Sequence, residues 1–205
     1  MSAPRMNAKD ALAVVHGARG ERDLVITTMM PARDWMALGQ GPLDMVLVPS
    51  AMSHATSMGL GLALAQPDRK VIVCNGDGSM LMNLGSLVSI AAAGASNMLV
   101  IVFDNGSYEV TGSQPVPGAG KVNYSQFGMG AGFAACAQFL DLEAWRNSFP
   151  TLLAAGGPTL VVLHVEPVLG EAGPKSPGPA GDRAKRFMKA IRDTVVDPAE
   201  SARNS

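Results

Sequence analysis

Short apolar runs alternate along the chain with longer stretches of helical periodicity. The runs are apolar at successive positions and rich in β-branched residues, which is typical of strands buried on both faces. They span residues 23–28, 45–49, 70–74, 97–103 and 159–165. The helix-like stretches span residues 8–17, 32–38, 53–65, 79–93 and 140–154. This alternation predicts an α/β fold, in which a parallel sheet is flanked by crossover helices.

Two segments interrupt the alternation. Residues 105–132 and 166–182 are rich in glycine and proline and show no long regular run. Loops of that length in a compact domain are usually functional or mobile. Residues 183–195 have the pattern of a last amphipathic helix, and residues 197–205 are expected to fray. A chain of 205 residues without an internal repeat is expected to form one domain, residues 1–205.

Composition and charge narrow the classes of function. Hydrophobic residues make up 47% of the chain, which is enough for a sizeable core. The 16 basic and 17 acidic residues leave a net charge of -1, so no nucleic-acid or membrane partner is predicted. Cys74 and Cys136 are expected to be buried, reduced thiols of a cytoplasmic protein. Residues 1–10 lack the apolar core of a signal peptide.

Two of the predicted strands run into polar turns that contain glycine. Strand 70–74 leads into Asn75-Gly76-Asp77-Gly78-Ser79, and strand 97–103 leads into Asp104-Asn105-Gly106-Ser107-Tyr108. Ligands of open parallel sheets bind outside the carboxyl ends of the strands. The free N–H groups at the start of the helix near Ser79 suit a phosphate, and the two glycines allow close approach of the backbone.

Asp77 and Asn105 can each offer a hard oxygen to a metal ion. Magnesium typically takes one or two side-chain oxygens, together with phosphate oxygens and water. The alternative is that Gly-Asp-Gly is merely a turn, since Asp-Gly is a common turn dipeptide. Asn105 follows Asp77 by 28 residues, the length of a helix plus a strand, so both lie at one sheet edge. The pair therefore predicts a magnesium diphosphate site.

The combined pattern resembles the motif of thiamine diphosphate-dependent enzymes, Gly-Asp-Gly followed by Asn-Asn. Asp104 departs from the first asparagine of that pair, whereas Asn105 matches the second. The resemblance implies thiamine diphosphate and Mg²⁺ as cofactors. It also implies three metal ligands: Asp77, Asn105 and the carbonyl of Ser107.

A second stretch, Pro49-Ser50-Ala51-Met52-Ser53-His54-Ala55, resembles the same pyrophosphate-binding domain. By this resemblance Met52 is a catalytic residue, the apolar wedge that bends the cofactor into a V shape; core packing is its alternative. His54 is the second candidate catalytic residue, through contact with the aminopyrimidine or the substrate, or else a local structural histidine. The implied cofactor-binding residues are Thr28, Ser50, Met52, Gly76, Asp77, Gly78, Ser79, Asn105 and Tyr108.

Almost the whole chain resembles the sulfopyruvate and phosphonopyruvate decarboxylases, and its length matches a pyrophosphate-binding β subunit. This implies decarboxylation of a 3-substituted pyruvate, a 2-oxoacid, to an aldehyde and carbon dioxide. In that family the glutamate that activates the cofactor belongs to a pyrimidine-binding domain, so a partner α subunit is expected to supply it in a hetero-oligomer. The alternatives are a carboligase of the acetolactate synthase type and a non-catalytic regulatory or scaffold subunit.

Three further titratable residues have a structural interpretation, and one of them, Glu109, also has a functional one. Glu109 is either half of a loop salt bridge or an acid that faces the substrate. His16 and His164 are expected to be structural. Met29-Met30-Pro31-Ala32-Arg33 replaces a Gly-x-Thr-Ser-Arg stretch of the family.

Overall fold

The computed structural model describes residues 5–48, 52–170 and 172–194. All five predicted strands are present, each displaced by no more than two residues at either end. In chain order, the strands are β1 (Leu24–Thr28), β2 (Asp44–Leu47), β3 (Val71–Gly76), β4 (Met98–Asp104), β5 (Ser107–Tyr108), β6 (Gln114–Pro115), β7 (Ala135–Phe139) and β8 (Thr159–His164). The helices are α1 (Ala8–Ala18), α2 (Met29–Leu38), α3 (Ala55–Ala65), α4 (Asp77–Leu81), α5 (Gly85–Ala92), α6 (Tyr124–Ala131), α7 (Leu142–Ala154) and α8 (Ala180–Asp193).

Six of these strands form one parallel sheet in the order β2-β1-β3-β4-β8-β7, while β5 and β6 pair as a small antiparallel hairpin. The predicted α/β fold is confirmed. The chain moves outward from β1 to β2 and then returns to place β3 on the other side of β1. This reversal creates a switch point between the ends of β1 and β3, where ligands of such sheets bind.

The sheet is buried on both faces, as the continuous apolar runs predict. Side chains alternate along β3, so that Val71 and Val73 pack into one apolar layer and Ile72 and Cys74 into the other. One layer lies beneath α1, α2 and α7, and the opposite layer lies beneath α3, α5, α6 and α8. The rigid sheet thereby fixes the strand ends that carry the polar turns.

Short polar side chains begin several helices. Asn7 accepts hydrogen bonds from the backbone N–H groups of Lys9 and Asp10 at the start of α1. Asp141 accepts one from Ala144 at the start of α7, at 2.8 Å. Each cap satisfies N–H groups that the first helical turn leaves unpaired.

The segment 105–132, expected to lack a long regular run, contains α6. Asn123 caps this helix by accepting a hydrogen bond from the N–H of Gln126. Helix propensity does not predict α6, because the helix contains glycines, which are unfavourable in helices. A Cβ at Gly128 would lie 2.8 Å from Cys136 Sγ, so close packing against β7 requires a glycine there. Strand β7 was also missed, because Ala-Cys-Ala-Gln has weak strand propensity and forms only an edge.

Three further expectations need correction. The predicted helix 79–93 is two helices, α4 and α5, separated by a turn at residues 82–84. Helix α3 begins at Ala55, so His54 precedes the helix instead of lying within it, as the predicted range 53–65 would place it. Cys74 is buried, but Cys136 is only partly buried.

Among the helices of the described ranges, none has the length and apolar character needed to span a bilayer.

Candidate functional site

A cleft with an empty volume of about 360 Å³ lies past the carboxyl ends of β1, β3 and β4. Methionines form much of its apolar wall, whereas backbone and polar groups of the two glycine turns form the rest. The residues that line it are Met29, Met30, Met52, Gly76, Asp77, Gly78, Ser79, Asn105, Ser107, Tyr108, Glu109, Val110 and Thr111. The structure thus brings most of the predicted site residues to one place at the switch point.

The buried Asp77 side chain links the two polar turns. Its Oδ1 accepts a hydrogen bond from the N–H of Gly78 at 2.8 Å. Its Oδ2 accepts one from the N–H of Gly106, also at 2.8 Å, across the gap between β3 and β4. Each carboxylate oxygen keeps a further lone pair. Asp77 therefore lies beside Asn105, as their positions at neighbouring strand ends predict.

Asn105 is held in one orientation by its own loop. Its Oδ1 accepts a hydrogen bond from the N–H of Ser107 at 2.8 Å, and its Nδ2 donates to Glu109 Oε1 at 2.8 Å. Glu109 Oε2 lies 3.7 Å from Arg33 Nη2. The salt-bridge interpretation of Glu109 is therefore confirmed.

The two glycines beside Asp77 have different surroundings. A Cβ at Gly78 would lie 2.2 Å from Tyr108 Cε1, so the tyrosine ring packs directly on this glycine. A Cβ at Gly76 would meet no atom of the described residues within 4 Å, so they leave open space beside it. Gly78 is thus needed for packing within the chain, while Gly76 borders room that a ligand can occupy.

The loop that carries Met52 is tied to the glycine turn. The N–H of Ser53 donates to Ser79 Oγ at 2.9 Å, and Asn83 Nδ2 donates to the carbonyl of Ser53 at 2.9 Å. Ser53 has a φ of 69° and Met29, on another wall of the cleft, has a φ of 59°. Left-handed backbone at residues other than glycine is uncommon and concentrates at functional sites.

Electrostatics distinguish the two aspartates at this edge. Burial, together with the nearby Asp104 carboxyl, raises the pKa of Asp77 to about 7, although the two backbone N–H donors act in the opposite direction. Burial also opposes ionisation of Asp104. Its pKa is nevertheless lowered, because His164 donates a hydrogen bond to it and contributes positive charge. Asp77 is thus a buried carboxyl for which the described part of the chain provides no cationic partner.

Buried polar atoms without hydrogen-bond partners gather at the same edge. Within the described ranges they include atoms of Thr27 and Thr28 at the end of β1, Asn75 in β3, and Ser107 and Ser113 after β4. Buried polar groups are normally hydrogen-bonded, so such a cluster indicates space for a polar ligand. The donor set suits Mg²⁺, which takes one or two side-chain oxygens together with phosphate oxygens and water, because Asp77 and Asn105 line the same cleft. The residues present therefore fit a magnesium diphosphate.

Two predicted site residues are not part of the cleft wall, and a third is not among the described residues. His54 is exposed, and its Nδ1 lies 2.7 Å from the carbonyl oxygen of Met52 in its own loop. Thr28 is buried at the end of β1, but its side chain does not line the cleft. Ser50 lies outside the described residues. Their roles toward cofactor or substrate stay predictions.

Sequence reasoning missed two neighbours of the site. His164, expected to be merely structural, holds Asp104, and only its register at the end of β8 could have indicated this contact. Tyr124 is buried at the start of α6, and burial followed by the charges of Asp77, Asp104 and Tyr108 raises its pKa. Tyr124 belongs to no local motif, and it begins α6, a helix that the sequence pattern does not predict.

Comparisons with known proteins agree with this geometry. Residues 28–163 match the family described as thiamine pyrophosphate enzyme, C-terminal TPP binding domain. The protein named sulfopyruvate decarboxylase subunit beta of Methanothermobacter thermautotrophicus is 34% identical over 178 residues, which are 86% of this chain and 91% of that protein. Phosphonopyruvate decarboxylase of Streptomyces viridochromogenes is 35% identical over 144 residues, which are 70% of this chain and 36% of the relative.

The fold also matches a solved structure. The crystal structure of benzoylformate decarboxylase from Polynucleobacter necessarius superposes with a TM-score of 0.67 at 15% identity. The match covers 82% of this chain and 35% of the other. The longer relatives thus contain this fold as about a third of their length. The chain belongs to the family of C-terminal TPP-binding domains of thiamine pyrophosphate enzymes.

Proposed function

We propose that this chain is the pyrophosphate-binding subunit of a two-chain, thiamine diphosphate- and Mg²⁺-dependent 2-oxoacid decarboxylase. The observation that carries the proposal is the junction of Asp77 with the Asn105 loop, formed by the hydrogen bond from Gly106 N–H to Asp77 Oδ2 at 2.8 Å. This contact places a carboxylate and an amide oxygen together in a cleft that also contains Met52. The catalytic activity resides in the complex with a second chain.

The diphosphate would lie beside Gly76, where the chain leaves open space, with backbone N–H groups and Ser79 nearby. Asp77, Asn105 and the carbonyl of Ser107 would hold Mg²⁺, and Tyr108 would close the site against Gly78. Magnesium would also neutralise the buried Asp77 carboxylate, whose charge no side-chain cation of this cleft wall balances.

Thiamine diphosphate, when bound, supplies an electron sink for the electron pair left when carbon dioxide departs from a 2-oxoacid. Met52 would act as the apolar wedge against the cofactor, since it lines the cleft. The loop hydrogen bonds from Ser53 and Asn83 would keep it in place. The methionine wall would exclude water from the reacting groups.

A partner α subunit would supply the activating glutamate from a pyrimidine-binding domain. The relative of matching length is named a β subunit, and the phosphonopyruvate enzyme is a longer chain of which this one spans 36%. Glu109, the only glutamate of the described cleft wall, already accepts hydrogen bonds from Asn105 and Val168. It is therefore unsuited to reach a cofactor ring.

The substrate class follows from the same relatives: a 3-substituted pyruvate such as sulfopyruvate or phosphonopyruvate. A sulfonate or phosphonate needs cationic groups. The cleft wall of the described residues contains no lysine or arginine. We therefore expect the partner subunit to contribute part of the anion-binding site.

The test is release of carbon dioxide from 3-sulfopyruvate and 3-phosphonopyruvate by the full chain co-purified with its partner. Release that requires both thiamine diphosphate and Mg²⁺, and that Asp77→Ala abolishes, supports the proposal. The control is Asp141→Asn, which removes a carboxylate from the exposed N-cap of α7. This variant should keep activity. Full activity of Asp77→Ala would refute the metal assignment. Added acceptor aldehyde that is incorporated into product would instead indicate a carboligase.

A further inference from the structure

Glu109 is buried at the rim of the cleft, with a side chain only 2% exposed. Its Oε1 accepts hydrogen bonds from the chain itself, whereas Oε2 forms only an ion pair and has no hydrogen-bond partner within the described residues. Oε1 accepts hydrogen bonds from Asn105 Nδ2 and from the N–H of Val168, each at 2.8 Å, and Oε2 faces Arg33 Nη2 at 3.7 Å. This arrangement engages Oε1 within the chain, while the alternative of an acid that faces the substrate is untested.

We infer that Glu109 is a positioning residue that fixes the side-chain amide of Asn105, so that Oδ1 and not Nδ2 is offered to the cation. The inference rests on the proposed function, because it concerns the metal ligand assigned there. Its own observation is the hydrogen bond from Asn105 Nδ2 to Glu109 Oε1.

An asparagine amide has one acceptor end and one donor end, and a half-turn about its last bond exchanges them. A cation needs the acceptor end. A carboxylate can only accept, so Glu109 holds the donor end of Asn105 toward itself. The N–H of Ser107 donates to Oδ1 at 2.8 Å and favours the same orientation from the other side. The two contacts together determine that Oδ1 of Asn105, and not Nδ2, is available to a cation in the cleft.

Glu109 is in turn held from two other parts of the fold. Arg33 lies on α2, which follows β1, and Val168 lies in the segment after β8. The carboxylate therefore joins three strand-end segments around Asn105. Groups of this kind, which orient the ligands of a metal, typically contribute 10–100-fold to metal affinity.

The amide orientation can be measured without any metal. In the full chain, the two Nδ2 protons of Asn105 are assigned by NMR from the signals lost in Asn105→Asp. We expect slow exchange of these protons with solvent in the wild type and much faster exchange in Glu109→Ala. Glu109→Gln, which conserves shape, should show a smaller change and keeps the test valid if the alanine variant does not fold. Glu143→Gln removes the same charge from an exposed site on α7 and should change nothing.

Metal affinity provides the second measurement. Mn²⁺ binding to the full chain with thiamine diphosphate is followed by electron paramagnetic resonance. We expect Glu109→Ala to weaken it about 10-fold or more, and Glu109→Gln, whose amide oxygen can still accept from Asn105 Nδ2, to weaken it less. Asn105→Asp should also weaken it, because two carboxylates then face each other. The double variant Asn105→Asp/Glu109→Gln restores a donor–acceptor pair with reversed polarity and should recover part of the affinity.

The outcomes separate the two hypotheses. Unchanged Asn105 exchange in both Glu109 variants would overturn the positioning role, whether or not metal binds. Equal Mn²⁺ affinity in a folded Glu109→Ala variant and the wild type would overturn it as well. Failure of the wild type to bind Mn²⁺ with thiamine diphosphate would refute the metal assignment of the proposed function, while the exchange data would still decide the role of Glu109.

Discussion

His164 Nδ1 lies 2.9 Å from Asp104 Oδ2, at the carboxyl ends of the paired strands β8 and β4. Asp104 occupies the position where the family's motif has its first asparagine. The histidine gives this extra carboxylate a hydrogen bond and lowers its pKa against the effect of burial. A compensating partner therefore accompanies the departure from the motif, next to the proposed ligand Asn105.

Removing this partner should destabilise the folded chain. His164→Gln removes the imidazole that donates to the mostly buried Asp104 carboxylate, and hydrogen bonds to charged groups contribute about 2 kcal/mol. Urea unfolding at pH 6 should show a loss of that order. His54→Gln, at an exposed position, should stay within about 0.5 kcal/mol of the wild type. Equal losses in the two variants would show that the contact with Asp104 contributes nothing specific.

The two glycines flanking Asp77 should respond differently to alanine. Gly78→Ala places a Cβ 2.2 Å from the Tyr108 ring and should destabilise the fold by about 1–3 kcal/mol. Gly76→Ala meets no atom within 4 Å in the part of the chain that the structure describes and should leave stability unchanged, but it should weaken thiamine diphosphate binding. Thermal unfolding and calorimetric titration measure the two effects. Undiminished cofactor affinity in Gly76→Ala would place the diphosphate elsewhere.

Met52 should affect turnover more than binding if it is the proposed wedge. Met52→Ala should lower kcat strongly with little change in thiamine diphosphate affinity, because the bent cofactor conformation loses its support. Met52→Leu keeps apolar bulk and should retain most of kcat. Steady-state kinetics of the complex with its partner test this. If kcat of the alanine variant matched the wild type, Met52 would be only a packing residue.

Arg183 should be a strong determinant of stability, although it lies outside the cleft. Its buried guanidinium donates hydrogen bonds to the carbonyls of Val46 and Val48 at the end of β2 and to that of Gly178. Arg183→Ala leaves buried acceptors unpaired and should cost at least about 2 kcal/mol. Arg186→Ala, an exposed neighbour on α8, should cost less than about 0.5 kcal/mol in the same urea titration. Similar costs would contradict the anchoring role.

The central strands and the glycine turns could be predicted because their signals are local. Strands β3 and β4 are continuous apolar runs, and Asp77 and Asn105 follow them directly. The carboxyl ends of parallel strands lie at one edge of the sheet irrespective of the helix between them. Topology alone therefore predicts that Asp77 and Asn105 lie close together.

The missed features depend on contacts between distant segments. Helix α6 contains glycines that pack against Cys136, and propensity counts those glycines against a helix. The direction of Glu109 is set by Val168, 59 residues further along the chain. The partner of Asp104 is 60 residues away. Spacing within a motif carries no information about such partners.

Native mass spectrometry of the full chain purified from its own cells tests the central claim most directly. We predict a complex with a second chain that carries thiamine diphosphate and Mg²⁺, and loss of both in Asp77→Ala. A homo-oligomer that binds neither group, even when both are added in excess, would contradict the assignment of this chain as a cofactor-binding subunit.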